Sequence, residues 1–414
     1  MSSRVVITGL GAITCIGHGR ESLWQGILRE VSGIGPVTRF DATDFDAKNA
    51  GEINDFHGSD HFPPHKLKRL DRYAQFALVL TQQALDDAGL KVSHETPRPD
   101  IGVSFGTALG GITTAELTHE RFVREGSRAI PAALALQVFG GSAHSNIAIS
   151  FGLRGYGTTN SNSCASGTVA VGEAFRVIRE GRAVAMVTGA AEAPLAPLTF
   201  GAFDTIKSMA KERKDPKRAV RPFDATRDGF VMSEGGGSLI LESLDHARAR
   251  GAHIYAEVLG YSLNNDAFHM SSSLPEGDAA IAAMQFALDE AKLKPGQIDY
   301  INAHASSTPM NDGTEARAVT KLFGPHPPAV SGTKAYYGHP LGASGAIEAA
   351  ICCLAMQHGH IPPTLNCHVP CAEASTPGFD LVRLKGRAQP LKYVLSNSFG
   401  FGGINASLVL GRVD

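Results

Sequence analysis

Asn160-Ser161-Asn162-Ser163-Cys164-Ala165-Ser166-Gly167 runs directly into an alanine-rich helical pattern over 168–179. Gly342-Ala343-Ser344-Gly345 runs into a second such pattern over 346–356. Each four-residue motif follows a polar, glycine-containing turn, and a strand-like run stands near the head of each candidate half, at Val5 and at Ile254. Two copies of one unit would account for this echo, with about seventy more residues ahead of the first motif as room for loops and dimer elements. Two four-residue matches are also within what chance supplies, so the duplication is an expectation for the structure to test.

Around these motifs, short β-branched runs alternate with helical periodicity. Strands are expected at 5–8, 101–105, 184–188, 237–241, 254–259, 300–303 and 393–396, and helices at 71–88, 168–179, 279–291 and 346–356. That alternation predicts an α/β layered fold. Arg4-Val5-Val6-Ile7-Thr8-Gly9 reads as a buried first strand followed by a turn. No Ser/Pro-rich linker interrupts the chain, so any domains are fused through extensive contact.

Composition bounds the function. Of 414 residues, 43% are apolar and 19% charged, which excludes a disordered chain. The net charge of −2 argues against a general nucleic-acid binder, which needs a basic excess, but leaves room for a local basic patch. No run of about 18 apolar residues occurs, so no membrane span is expected, and no signal-peptide cleavage site is apparent. The 46 glycines follow no collagen-like period and must serve turns and close backbone approaches. The six cysteines are irregularly spaced in a long chain and read as reduced thiols of a cytoplasmic protein. Cys367, His368 and Cys371 lack a second pair at zinc-finger spacing, so no metal is expected. Between Arg128 and Arg154 there is no Asp, Glu, Lys or Arg. That uncharged, glycine-broken stretch suggests burial against a partner chain or around an apolar pocket.

Four segments could carry chemistry. Cys164 stands where a helix begins, with small residues after it. Free N–H groups and a partial positive charge there would lower a thiol pKa and bind an oxyanion; a buried, inert cysteine is the alternative. His304, in Asn302-Ala303-His304-Ala305-Ser306-Ser307-Thr308-Pro309, follows a strand, where α/β folds form sites. Asp312 and Glu315 lie close enough behind it for the chain to fold back. His339 sits in Lys334-Ala335-Tyr336-Tyr337-Gly338-His339-Pro340-Leu341-Gly342, flanked by Lys334 and Glu348, which could equally be a surface pair. Asn397-Ser398-Phe399-Gly400-Phe401-Gly402-Gly403-Ile404-Asn405 could bring backbone N–H groups and two phenylalanines to an apolar pocket, or be a tight hairpin. It is not a phosphate loop.

Together these motifs resemble the β-ketoacyl-acyl carrier protein synthases of the thiolase superfamily, in particular the elongating KAS I/II type. The resemblance runs from Val5 to Leu410, and Arg221-Pro222-Phe223-Asp224, Arg227-Asp228-Gly229-Phe230 and Ile361-Pro362-Pro363-Thr364 fit it too. It implies the thiolase fold: two similar halves, 1–250 with cap and dimer insertions and 251–414, in five layers α-β-α-β-α. It implies a Cys-His-His triad of Cys164, His304 and His339, with Lys334 and Glu348 as the catalytic lysine and its carboxylate. The oxyanion hole would be the N–H groups of Cys164 and Phe401. Substrate would touch Leu109, Ser163, Phe203, Ser306, Thr308, Phe399 and Phe401, and the segment 131–152 would line the acyl pocket and the dimer interface. Lys68, Arg69 and Lys207 match basic positions that dock an acidic acyl carrier protein.

The activity implied is decarboxylative Claisen condensation of an acyl thioester on Cys164 with malonyl-acyl carrier protein in fatty acid elongation. No cofactor of the chain's own is implied, because the phosphopantetheine arm comes on the carrier protein. The partners implied are acyl carrier protein and malonyl and acyl thioesters, in a homodimer or a heterodimer with a chain-length factor; neither nucleic acid nor membrane is among them. The alternative is a ketosynthase subunit of a type II polyketide pathway of polyene type, working with such a factor. Ser163 departs from the small apolar residue usual before the cysteine, and with Asn160 and Asn162 makes the pocket border more polar. Degradative thiolases have a second cysteine where Phe401 stands, initiating synthases have Asn where His339 stands, and chain-length factors lack the cysteine.

Overall fold

A computed structural model describes residues 3–212, 214–325 and 327–413. Its frame consists of β1 (Val5–Thr14), α1 (Arg72–Ala88), β2 (Ile101–Gly106), α2 (Ile112–Glu125), α3 (Ser142–Phe151), β3 (Gly157–Asn160), α4 (Ser166–Arg179), β4 (Ala185–Glu192) and β5 (Gly235–Ser243). It continues with β6 (Ala256–Asn265), α5 (Asp278–Ala291), β7 (Tyr300–Asn302), α6 (Pro309–Phe323), β8 (Ala329–Ser331), α7 (Ser344–His358), β9 (Tyr393–Gly400) and β10 (Ile404–Gly411).

The strands line up as β3-β2-β4-β5-β1 and β8-β7-β9-β10-β6. In the first set β2 is parallel to β3 and β4, and β4, β5 and β1 alternate in direction. The second set repeats this: β7 is parallel to β8 and β9, and β9, β10 and β6 alternate. Numbered within its own half, each sheet has the same order. Among the described residues the two sheets join through Val5–Ile7 of β1 paired with Ala256–Val258 of β6.

The repetition extends to the packing. A Cβ on Gly9 of β1 would lie 2.1 Å from the Ala84 carbonyl oxygen of α1, and a Cβ on Gly260 of β6 would lie 2.1 Å from the Ala287 carbonyl oxygen of α5. Each outer helix therefore sits directly on its sheet backbone. Between the sheets lie α4 and α7, which touch each other and strands of both sheets. They meet at their N-termini, where a Cβ on Gly167 would come within 2.6 Å of the Ala346 nitrogen and one on Gly345 within 2.1 Å of the Thr168 hydroxyl. The turns ahead of them match as well: Ser163 and Leu341 both have positive φ (52° and 38°), and each opens a single 3₁₀ turn. Helix, sheet, helix pair, sheet and helix make the five layers of the thiolase fold.

One expectation needs correction. No turn follows Gly9; β1 continues to Thr14, with a register shift against β5 between Ile7 and Gly9. The strand is buried along its whole length. Its glycines are sites of close helix approach, Gly11 as well as Gly9, rather than turn residues.

Candidate active site

Cys164 lies in the 3₁₀ turn between β3 and α4, with the strained Ser163 ahead of it. Its Sγ is 3.1 Å from His339 Nε2. His339 comes from the equivalent turn of the second half, and its Nδ1 lies 2.9 Å from Ser344 Oγ at the head of α7. A hydroxyl can donate or accept, so Nδ1 stays paired in either tautomer. His304, just past β7, stands 5.4 Å ring to ring from His339, nearly perpendicular. The hairpin β9–β10 brings the Phe401 backbone N–H to the Cys164 sulfur, and its turn is made by Gly402 and Gly403, both at positive φ.

The electrostatics are those of a buried neutral site. Burial drives both imidazoles well below their ordinary pKa, and the Lys334 ammonium adds to the effect. Burial also raises the Cys164 thiol. The Ser163 hydroxyl 3.8 Å from its sulfur, the Lys334 charge and the Phe401 N–H pull the other way without prevailing. The expectation of a depressed thiol pKa at the helix start is therefore overturned: desolvation outweighs it. The resting pair is thiol and imidazole.

Two cavities meet at Cys164. The larger, about 420 Å³, is lined by Cys164, His304, His339, Ser306, Thr308 and Phe399, and reaches Lys207 and Met270 at the outer end. The smaller, about 150 Å³, is lined by Leu109, Ser161, Ser163, Phe203, Leu341 and Phe401. Phe401 borders both and stacks on Phe203 with ring centroids 6.3 Å apart. Ser306 and Thr308 hydroxyls bond to each other at 2.9 Å. Lys68 and Arg69 are exposed beyond the short helix Pro64–Leu67 and line neither cavity.

Lys334 and Glu348 are wholly buried, but neither lines a cavity. Lys334 Nζ donates to the His304 carbonyl at 2.6 Å and to Glu348 Oε1 at 2.5 Å. Glu315 accepts the backbone N–H groups of His304 and Ala305. Asp312 accepts those of Ser307 and Phe223, so the chain does fold back on His304. Lys334 and Glu315 together fix the backbone on either side of this histidine. Lys334→Ala leaves a buried carboxylate without its cation and is expected to cost about 3–5 kcal/mol in chemical denaturation. The paired Lys334→Met, Glu348→Leu replacement should recover most of it.

Sequence reading missed the cavity-lining Ser161, Leu341 and Met270, and three residues that support the site. Ser344 and Phe230, whose ring meets His339 edge-on at 5.2 Å, lay inside quoted motifs without an assigned role. Glu192 ends β4 in Gly-Ala-Ala-Glu, a segment with no local signal.

Profiles described as "Beta-ketoacyl synthase, N-terminal domain" and "Beta-ketoacyl synthase, C-terminal domain" match residues 2–247 and 255–368. A 3-oxoacyl-[acyl-carrier-protein] synthase 2 of Synechocystis sp. is 42% identical over 412 residues, 99% of this chain and 98% of that relative. One of Staphylococcus aureus is 37% identical over 415 residues, 100% and 99%. Among solved structures, the ishigamide ketosynthase/chain length factor matches with a TM-score of 0.92 at 34% identity. A type II PKS acyl-carrier protein in complex with its ketosynthase, bound to the hexaketide, matches at 0.90 and 32%. Both cover 100% of each chain compared.

Proposed function

The chain belongs to the β-ketoacyl synthase family, and on that premise we propose that it elongates fatty acyl chains through a Cys164 acyl-enzyme. It is a β-ketoacyl-acyl carrier protein synthase, an acyltransferase that joins an acyl thioester to malonyl-acyl carrier protein with loss of carbon dioxide. The observation that carries the site assignment is the meeting of two cavities at one sulfur, 3.1 Å from a neutral imidazole.

In this reading the larger cavity takes the carrier-borne phosphopantetheine arm, with Ser306 and Thr308 as polar contacts, and the smaller takes the acyl chain. The Cys164 sulfur adds to the thioester carbonyl as its proton passes to His339. The oxyanion rests on the N–H groups of Cys164 and Phe401. The carrier thiolate leaves with that proton. Malonyl thioester then enters the emptied larger cavity. Breaking its C–CO₂ bond leaves an enolate whose oxygen accepts from His304 and from His339 in its Nε2–H tautomer, with Nδ1 then accepting from the Ser344 hydroxyl. The carbanion attacks the acyl carbonyl, a C–C bond forms, the C–S bond to Cys164 breaks, and the released thiolate takes up a proton from water.

The partner is acyl carrier protein. Basic residues would dock it, so exchanging Lys207 for Glu, at the arm's entrance, should raise KM for carrier-bound substrate about 5- to 10-fold at low salt and less at high salt. The same change at Lys68 and Arg69 tests whether the docking face extends that far. An unchanged KM in both variants removes the docking assignment and leaves the chemistry.

We read the chain as two halves, 1–250 and 251–414, assembled as a dimer. The apolar side chains exposed on the uncharged stretch, Leu136 and Ile149 foremost, favour a partner chain there. Among the described residues no helix is long and apolar enough to cross a membrane; a cytoplasmic location fits the carrier-bound substrate.

The test is condensation with a panel of acyl-carrier substrates. Saturated chains should be elongated, and no β-ketoacyl product with any of them overturns the reading. A polyketide ketosynthase is the second reading, favoured by the Ser163 hydroxyl beside the thioester sulfur. It requires short or unsaturated chains to be preferred over saturated C14–C16 chains, and Ser163→Ala to weaken that preference.

A further inference from the structure

Outside the reacting groups, one wholly buried carboxylate stands behind the Ala108–Leu109 wall of the smaller cavity and has no part in the chemistry above. Glu192 is 0% exposed. The pairing of β2 with β4 ends at Gly106 opposite Ala190. Beyond that point the Glu192 side chain takes over what the ladder did. Its Oε1 accepts the Ala108 backbone N–H and, at 2.9 Å, the Thr107 hydroxyl. Thr107 Oγ1 in turn accepts the Gly110 N–H at 3.0 Å. The Leu109 N–H adds a stabilising influence on the carboxylate. One side chain thus holds successive backbone groups of the segment that supplies Ala108 and Leu109 to the acyl cavity.

The opposite wall presses on the same carboxylate. A Cβ on Gly342 would lie 2.7 Å from Glu192 Oε1 and 2.6 Å from the Ala108 nitrogen. Gly342 follows Leu341, which lines the cavity from the second half. Only a glycine lets that turn rest on Glu192 and Ala108 together. Burial pushes the carboxyl up to about 8, and its Oε2 is buried without a partner among the described residues. A protonated acid is the species such a site holds near neutral pH.

We propose that Glu192 is a positioning residue for the acyl half-reaction: it clamps the Thr107–Leu109 wall to the Leu341–Gly342 turn and thereby sets the shape in which the cavity receives the chain carried on Cys164. This rests on the acyl-enzyme reading above. It separates the two half-reactions, because His304 and His339 are held by other groups and Ala108 and Leu109 line the smaller cavity and not the larger, Leu341 being the one clamped residue that lines both.

The experiment compares Glu192→Ala, Glu192→Gln and Thr107→Val with the unaltered protein. Acylation of Cys164 by acyl-carrier substrates of graded length is followed by intact-protein mass spectrometry, and malonyl decarboxylation is followed in parallel. Alanine leaves the Ala108 N–H unsatisfied, so the acylation rate should fall about 10- to 100-fold relative to decarboxylation, with the ranking of chain lengths altered. Glutamine keeps a carbonyl acceptor and should restore both rate and ranking. Thr107→Val removes one donor to Oε1 and should move the same ratio in the same direction by less; it carries the test alone if the alanine variant does not fold. Equal losses in both half-reactions, or no change in acylation, overturn the proposal. If the unaltered protein takes no acyl group on Cys164, the acyl-enzyme reading fails instead, so the two failures are distinguishable.

Discussion

Cys164→Ala is expected to abolish condensation, by at least about 10⁴-fold, while malonyl decarboxylation continues. The sulfur is the group that forms the acyl bond in the proposed mechanism, and no other cysteine among the described residues lines either cavity. Cys15, Cys352, Cys353, Cys367 and Cys371 are free thiols whose pKa values burial raises, so none offers a substitute thiolate. Decarboxylation needs donors at the enolate oxygen rather than a nucleophile, and both imidazoles remain. Mass spectrometry after incubation with acyl-carrier substrate should find an acyl adduct on the unaltered protein and none on the variant. A stable adduct on any other residue would falsify the assignment.

His304→Ala and His339→Ala should each lower decarboxylation about 10²- to 10³-fold, the usual cost of removing one donor to a developing oxyanion. They should differ in the first half-reaction. His339 is within reach of the sulfur and His304 is not among its hydrogen-bond partners, so acylation should suffer mainly in His339→Ala. The pH dependence has a definite sign. Both folded-state values lie below the ordinary 6.5, so the imidazoles stay neutral through pH 6.5 and decarboxylation should not fall there. Below 6.5 the unfolded chain takes up protons that the native site refuses, and stability is lost as pH falls. An activity midpoint near 6.5 in an intact protein would contradict the buried neutral pair.

The sequence was most informative where one rule acted alone. The helix expected over 71–88 forms as Arg72–Ala88, and the one-residue difference is Asp71, which stands outside as the N-cap and accepts the Tyr73 N–H. Tyr393–Gly400 was found but cut short after Ser396, and its partner Ile404–Gly411 was not predicted. The glycine-rich turn between them drew attention to a loop, and the ladder that continues to Gly400 depends on pairing along its length. Pro309–Phe323 was missed because its polar first turn serves the site rather than a core stripe. The echo of Cys164-Ala165-Ser166-Gly167 in Gly342-Ala343-Ser344-Gly345 acquired its meaning only from backbone geometry: four residues are common, but matched turns, glycine approaches and strand orders are not.

Within the site, His304 and His339 were legible from their turns, whereas Leu109 and Phe203 were reached only through family resemblance. Nothing in local pattern shows that residues so far apart share one cavity. The thiol pKa was misjudged because a helix start is visible in sequence and the depth of burial is not. Glu192 escaped for the same reason. Its significance lies in what lacks a side chain opposite it, at Gly342.

The inner helix pair also sets a schedule for biosynthesis. α4 and α7 are apolar and buried nearly all round, and each is the other's neighbour. The first leaves the ribosome about 180 residues ahead of the second. At ordinary translation speeds of ~5–20 residues per second, that is an interval of roughly 10–35 s. Through it the first-half strands can cover one side of α4, while the side that α7 and the second sheet will cover has no partner yet, so the growing polypeptide is expected to engage a holding chaperone.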